Sequence, residues 1–267
     1  MPDRPPGLRL LMIGAVLIAA ALLPAQALAR EGPATLTLCQ EDADNYPWTL
    51  TTGPGYSNHL LDRVGQQLGV RIRYVRKPWR RCLLEAQQGA VDGVMDIAWL
   101  PERETLGAYP MHKGKPDPRY RLHDDSYSLF THIDSSLDWD GKQFSQPAPR
   151  MAAQVDYSVV SPLRALGAQV TESAKGSVDI LRLVVLGNTD GAALLTREGD
   201  YQLSRHPDLA RQIKRAPQPI FNPPMYLMVS HRIADQHPAW TRKLWETIAS
   251  VRESAAFQRQ AAPLLKP

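Results

Sequence analysis

Residues Val70–Pro110 read VRIRYVRKPWRRCLLEAQQGAVDGVMDIAWLPERETLGAYP, and the hydrophobic pattern changes twice within this stretch. Val70, Ile72 and Tyr74 alternate with arginines, the period of two that marks a strand, and Pro78 stops it. Trp79 to Gln88 is built from good helix formers and ends at Gly89. Val91 to Ile97 is then mostly apolar, as expected of a strand in a parallel sheet covered on both faces. The three together predict a β-α-β unit. In open sheets of this kind small ligands bind beyond the carboxyl ends of the strands, which directs attention to the turns after Val75 and Ile97.

The order Pro78-Trp79, Arg81, Gly89, Asp92-Gly93, Glu102-Arg103 and Tyr109-Pro110 resembles the extracellular solute-binding proteins of family 3, the periplasmic receptors of amino-acid ABC transporters. The likeness runs from about Leu36 to the C-terminus and is weaker in the middle. It implies an α/β, two-lobed type II periplasmic-binding-protein fold, each lobe a mostly parallel sheet flanked by helices. Residues 30–128 would form the first segment of lobe one, 129–225 lobe two, and 226–267 the return strand and C-terminal helices of lobe one.

The N-terminal 29 residues read as a secretory signal: Arg4 and Arg9, an apolar core from Leu10 to Leu23, and Ala27-Leu28-Ala29 as a small-x-small cleavage box. The apolar run is shorter than the ~20 residues a membrane span needs. The expectation is a periplasmic protein cleaved after Ala29. The 31 basic and 27 acidic residues give a net charge of +4, and loss of Arg4, Arg9 and Asp3 lowers it to +3. A mild charge with acids and bases interleaved argues against a nucleic-acid surface and mainly predicts solubility and weak steering of anions; a monomer is expected.

Two cysteines enter an oxidising compartment. Cys39 ends the first expected strand, Thr35 to Cys39, and Cys82 lies in the first turn of the helix after Pro78, at the same end of the sheet. A Cys39–Cys82 disulfide is compatible with that placement, the alternative being two buried thiols. No histidine has metal-ligand spacing to either cysteine, so neither a metal nor another cofactor is expected.

Seven residues are candidates for ligand contact. Gln40 to Trp48 is acidic and aromatic, and the resemblance implies that this loop supplies Glu41 toward a ligand ammonium, with Tyr46 and Trp48 as an aromatic wall. Arg103 stands six residues before Tyr109, where the family grips the ligand's α-carboxylate, and an arginine fork suits two parallel hydrogen bonds. Asp96 and Trp99 lie on the loop leading to it. Asp96 would meet a ligand cation or cap the following turn. Ser158 falls where the family places a Gly-x-Ser turn before a helix, with Asp156 replacing the glycine. Lobe two departs from the family at Leu195-Thr196, where an acid for the α-ammonium is usual. The cation must then be met by Glu41 or Asp96, or be absent from the ligand.

Elsewhere the pattern places helices over Gly55–Leu68 and Ser177–Leu186, strands over Tyr127–His132, Arg150–Val155, Asp190–Leu195 and Met225–Ser230, and a helical stripe of Trp240, Leu244, Ile248 and Val251. Residues 111–125 read as a basic surface insertion, and Pro217–Pro224 as a proline-rich approach. The resemblance implies capture of a small carboxylate-bearing ligand and delivery to a membrane permease. An enzyme on the same fold, dehydratase-like and using Glu41, Asp96 and Asp190 for acid–base work, is the competing class, and a ligand-sensing module the third.

Overall fold

The computed structural model describes residues 1–2, 32–174 and 176–266, so residues 3–29 of the signal-peptide reading lie outside the described residues. Strand β1 (Thr35–Glu41) pairs in parallel with β2 (Arg71–Lys77) and with β3 (Gly93–Ala98). Helix α1 (Tyr56–Leu68) joins the first pair and α2 (Trp79–Gln87) carries the chain from β2 to β3. This is the unit expected from residues 70–110. Tyr56, Leu60, Leu61 and Val64 bury one face of α1. Asn58 Oδ1 accepts the Gly55 N–H at its start, and Gly69 ends it at φ 65°, a left-handed conformation that glycine adopts without a Cβ penalty. Cys39 and Cys82 are disulfide-bonded, with Cα atoms 5.5 Å apart and both side chains fully buried.

Residues 111–125 form a two-stranded hairpin, β4 (Met111–His112) with β5 (Lys115–Pro116), followed by β6 (His123–Asp124). The chain then enters a second sheet at β7 (Tyr127–His132). There follow β8 (Arg150–Gln154), α3 (Val160–Ala165), β9 (Gln169–Ala174), α4 (Ser177–Val185), β10 (Gly191–Leu195), α5 (Thr196–Arg205), α6 (Pro207–Ala210) and β11 (Ile213–Phe221). The second sheet has the order β11-β7-β10-β8-β9, in which β10, β8 and β9 are parallel and β7 runs antiparallel to both its neighbours. Strand β12 (Pro224–Val229) returns to the first sheet, completing the order β2-β1-β3-β12-β6, and α7 (His231–Gln236), α8 (Pro238–Glu253) and α9 (Ala255–Ala261) follow. Trp240, Leu244, Ile248 and Val251 of α8 pack with Leu60, Leu61 and Val64 in one core cluster.

Several elements escape the sequence pattern, β9, α5 and β11 among them. Strand β9 was not expected. Helix α5 buries only Glu198 and Gly199, so its sequence TREGDYQLSR carries no apolar stripe. The proline-rich approach is strand β11, which tolerates Pro217 and Pro219 because it lies at the edge of its sheet.

The turns Gly89–Gly93 and Gly187–Gly191, both Gly-x-x-Asp-Gly, do the same structural work in each sheet. Asp92 accepts the Thr37 N–H at 2.6 Å and Asp190 accepts the Arg150 N–H at 2.8 Å, each tying a turn to the neighbouring strand. Asp190 is also ion-paired with Arg150 at 2.5 Å, which holds its carboxyl below its usual range. It does not line the cleft described below, which removes it from the acid–base set considered above.

Candidate functional site

The carboxyl ends of β1 and β3 face the turn after β8 across a cleft between the two sheets. The cleft is closed down to about 20 Å³, room for roughly one water molecule. Its wall contains Glu41, Asp96, Arg103 and Ser158 of the expected residues, together with Asn45, Trp79, Tyr127, Tyr157, Leu195 and Met225 among others. The charged residues of this wall are Glu41, Asp96 and Arg103, all from the first sheet's side.

Arg103 sits in the short 3-10 turn Pro101–Thr105 that follows β3, and it is only 5% exposed. Its Nη1 donates to the Ala98 carbonyl at 2.8 Å and its Nη2 to the Asp156 carbonyl at 2.6 Å, with the guanidinium carbon 5.9 Å from the centre of the Trp79 ring. A guanidinium has five N–H donors, so the fork is oriented by these bonds without being used up.

The turn carrying Asp156, Tyr157 and Ser158 is arranged differently from expectation. Helix α3 begins at Val160, and Val159, not Ser158, stands at its N-cap, with no side-chain capping bond. Asp156 adopts φ 59°, the left-handed region that an aspartate tolerates and a glycine would occupy by default. Its carboxylate pairs with Arg80 at 2.6 Å, away from the wall of the cleft, while its carbonyl accepts from Arg103 and from Trp79 Nε1. Ser158 Oγ lies 3.1 Å from the Tyr127 hydroxyl. The Tyr157 phenol crosses the cleft and donates to Glu41 Oε2. Burial, and then the Glu41 charge, hold the Tyr157 phenol well above its ordinary pKa, so it stays a donor.

Asp96 has φ 56°, a left-handed conformation within β3. Its Oδ1 accepts from Ser57 Oγ at 2.5 Å and from His123 Nε2 at 2.9 Å, which rules out the turn-capping role and leaves Oδ2 buried with no partner among the described residues.

Three expected residues do not line the cleft. Trp48 is 3% exposed and belongs to the core, because its ring stacks on His123 with centroids 3.5 Å apart and its indole N–H donates to Asp125 Oδ2 at 2.5 Å. Trp99 turns to the other side of its loop and donates to Glu104 Oε1 at 3.0 Å. Tyr46 sits where the two halves meet: its ring stacks on Tyr201 of α5 at 4.0 Å, and its N–H donates to Glu198 Oε2 at 2.8 Å. Burial raises the Glu198 carboxyl above its ordinary pKa, against the lowering effect of that N–H. Leu195 lines the cleft, while Thr196 turns its hydroxyl to Ser126 and Ser128 at 2.7 Å each, so no acid of the second sheet replaces the missing one.

Of the residues that sequence reasoning missed, Trp79 and Tyr157 carried a signal, the first inside the Pro-Trp pair and the second beside Ser158. Tyr127 and Met225 carried none. They reach the cleft only because the chain crosses between sheets near them.

Neither a protein-family model nor a curated protein matches this chain. Solved structures do. A histidine kinase sensor domain with similarity to periplasmic binding proteins superimposes with TM-score 0.69 at 18% identity, covering 86% of this chain and 96% of that one. An ancestral arginine-binding protein bound to arginine gives 0.67 at 12% identity, covering 88% and 99%. The GluR0 ligand-binding core from Nostoc punctiforme, in complex with L-glutamate, gives 0.66 at 11% identity, covering 88% and 100%. The chain therefore has the two-lobed type II periplasmic-binding-protein fold.

Proposed function

We propose that the protein is a periplasmic solute-binding receptor that captures a small carboxylate-bearing ligand between its lobes, with Arg103 as the carboxylate anchor, and presents it to the permease of an ABC transporter. The observation that carries the reading is the buried Arg103 fork in the wall of the cleft, held from one side by the Ala98 carbonyl and from the other by the Asp156 carbonyl. A charge-assisted pair in such a water-poor place discriminates strongly for a planar anion. The solved neighbours that hold glutamate or arginine share this fold and support a binding rather than a catalytic role.

Capture requires motion. The cleft at about 20 Å³ is too small for an amino acid, so the lobes part to admit the ligand and reclose on it by hinge movement. The two connections between the sheets, before Tyr127 and before Pro224, are the places for the hinge. Closure is already favoured by contacts of the protein itself, Tyr157 to Glu41, Tyr46 to Glu198 and Arg103 to Asp156, so the ligand adds to an existing bias.

A sensing role for the same capture event is the second reading, favoured by the likeness to a histidine kinase sensor domain. A thermal-shift screen of amino acids, small carboxylates, polyamines and sugars tests the common premise, since a ligand of the folded state raises the melting temperature by mass action. Stabilisation by carboxylates is the expected result. Stabilisation by neutral sugars alone would overturn the carboxylate reading.

A further inference from the structure

We propose that Asp96, positioned by His123, is the subsite at which the cleft takes a positively charged hydrogen-bond donor of its ligand, and that Glu41 is not. The inference rests on the reading of the cleft as a solute site, and it settles which acid of the first lobe is free to act.

The acceptors of the wall differ in what they already hold. Glu41 receives the Tyr157 phenol from across the cleft. Asp96 is engaged on one oxygen only. Oδ1 takes Ser57 Oγ and His123 Nε2, whereas Oδ2, on a side chain 6% exposed, is buried without a partner among the described residues. Asn45 Oδ1, in the same wall, is likewise buried and unpaired. Buried polar atoms are nearly always paired, and a charged oxygen without a partner is among the costlier exceptions. Two unpaired acceptors, one on a carboxylate, lie in the same wall as the Arg103 fork. Their chemical complement is a compact cation with several N–H donors, an ammonium or a guanidinium.

His123 is what keeps that oxygen in place. Its ring is 3% exposed in its side chain, stacks on Trp48 at an interplanar angle of 9°, and stands edge-on to Tyr56. Trp48 is in turn held by Asp125. With an acceptor opposite Nε2, the ring donates there and fixes the rotation of the Asp96 carboxylate. The left-handed φ of Asp96 points the same way, since a non-glycine residue held in that region persists only where its surroundings fix it, and such positions cluster at ligand clamps.

The test uses matched probes: L-alanine with propionate, L-glutamate with glutarate, L-arginine with 5-guanidinopentanoate, and the carboxylate-free amines methylammonium, putrescine and agmatine. Affinities are measured by calorimetry on wild type, Asp96→Asn, His123→Ala and His123→Gln. The expected result is a ligand whose cation-bearing form binds at least about 100-fold tighter than its analogue lacking that cation. Asp96→Asn and His123→Ala should collapse that ratio to within about 3-fold, and His123→Gln, which keeps a side-chain N–H, should preserve most of it. A merely structural role for His123 would weaken both members of a pair alike and leave the ratio intact. A ratio near one in wild type, or one unchanged in Asp96→Asn, overturns the proposal. If His123→Ala fails to fold, Asp96→Asn alone decides. Binding of amines alone, lost in Asp96→Asn, would keep this subsite and defeat the carboxylate reading of Arg103. If no probe binds, the solute reading fails and the subsite falls with it.

Discussion

Breaking the Cys39–Cys82 bridge tests how much of the first lobe's stability comes from covalent closure. The bond joins β1 to the first turn of α2 across a sequence separation of 43 residues. In the chain-entropy account, restricting the unfolded chain by a loop of that length contributes about 4 kcal/mol. For a protein of this size each kcal/mol moves the melting temperature by about 2–4 °C, so loss of the bridge should lower it by about 8–16 °C. Replacing both cysteines by alanine would mix this effect with lost packing, because both sulfurs are fully buried among Ala86, Val91 and Val94. The cleaner perturbation is reduction. The protein is unfolded in reductant, refolded under reducing conditions, and compared with the oxidised form by thermal melting and urea titration. The oxidised form should also show no reactive thiol after unfolding without reductant. A reduced protein that melts within about 2 °C of the oxidised one would refute the argument, as would two titratable thiols in the unreduced chain.

Other expectations follow from the packing and from the buried acids. Gly199→Ala in α5 should destabilise the second lobe: alanine gains about 1 kcal/mol of helix propensity, but its Cβ would stand 2.3 Å from Phe130 Cζ in a fully buried ring, and overpacking of that kind costs about 1–3 kcal/mol or more. Urea titration of the variant decides, and equal or higher stability would contradict the close approach. Glu198 and Asp125 have carboxyls raised by burial, so their contribution to stability is full below the ordinary carboxylate pKa and is lost as pH rises through their raised folded values. The difference in melting temperature between wild type and Glu198→Gln should therefore shift in favour of the variant as pH rises from about 4 to 7, and a difference independent of pH would count against the buried, raised acid. Tyr157→Phe removes the bond to Glu41 across the cleft and should shift the free protein toward the open form, seen as a larger radius of gyration in small-angle scattering. An unchanged radius would mean that this bond does not bias closure.

The first lobe was legible because its elements announce themselves locally. Alternation at Val70–Tyr74, the stop at Pro78 and the apolar run to Ile97 each require only neighbours in sequence, and β2, α2 and β3 lie where those signals are. Helix α5 was not, because it packs with a buried glycine and a buried glutamate in place of an apolar stripe. The same division holds in the cleft. Arg103 could be placed from its position in the turn after a strand and Asp96 from its place near that strand's carboxyl end, whereas the direction of an aromatic side chain depends on distant partners. Trp48 turns into the core because Asp125, 77 residues away, receives its indole N–H, and Tyr127 and Tyr157 reach the cleft from another sheet. The free oxygen on Asp96 was equally invisible in sequence, since His123 lies 27 residues beyond it.

Whether Arg103 grips a ligand carboxylate between the lobes is tested by calorimetric titration of Arg103→Ala beside wild type, with the tightest carboxylate from the thermal-shift screen. The folded variant should lose about 2–5 kcal/mol of binding free energy, the cost of unpairing a desolvated charge. An unchanged affinity in a folded Arg103→Ala protein would remove Arg103 from the site and with it the carboxylate anchor.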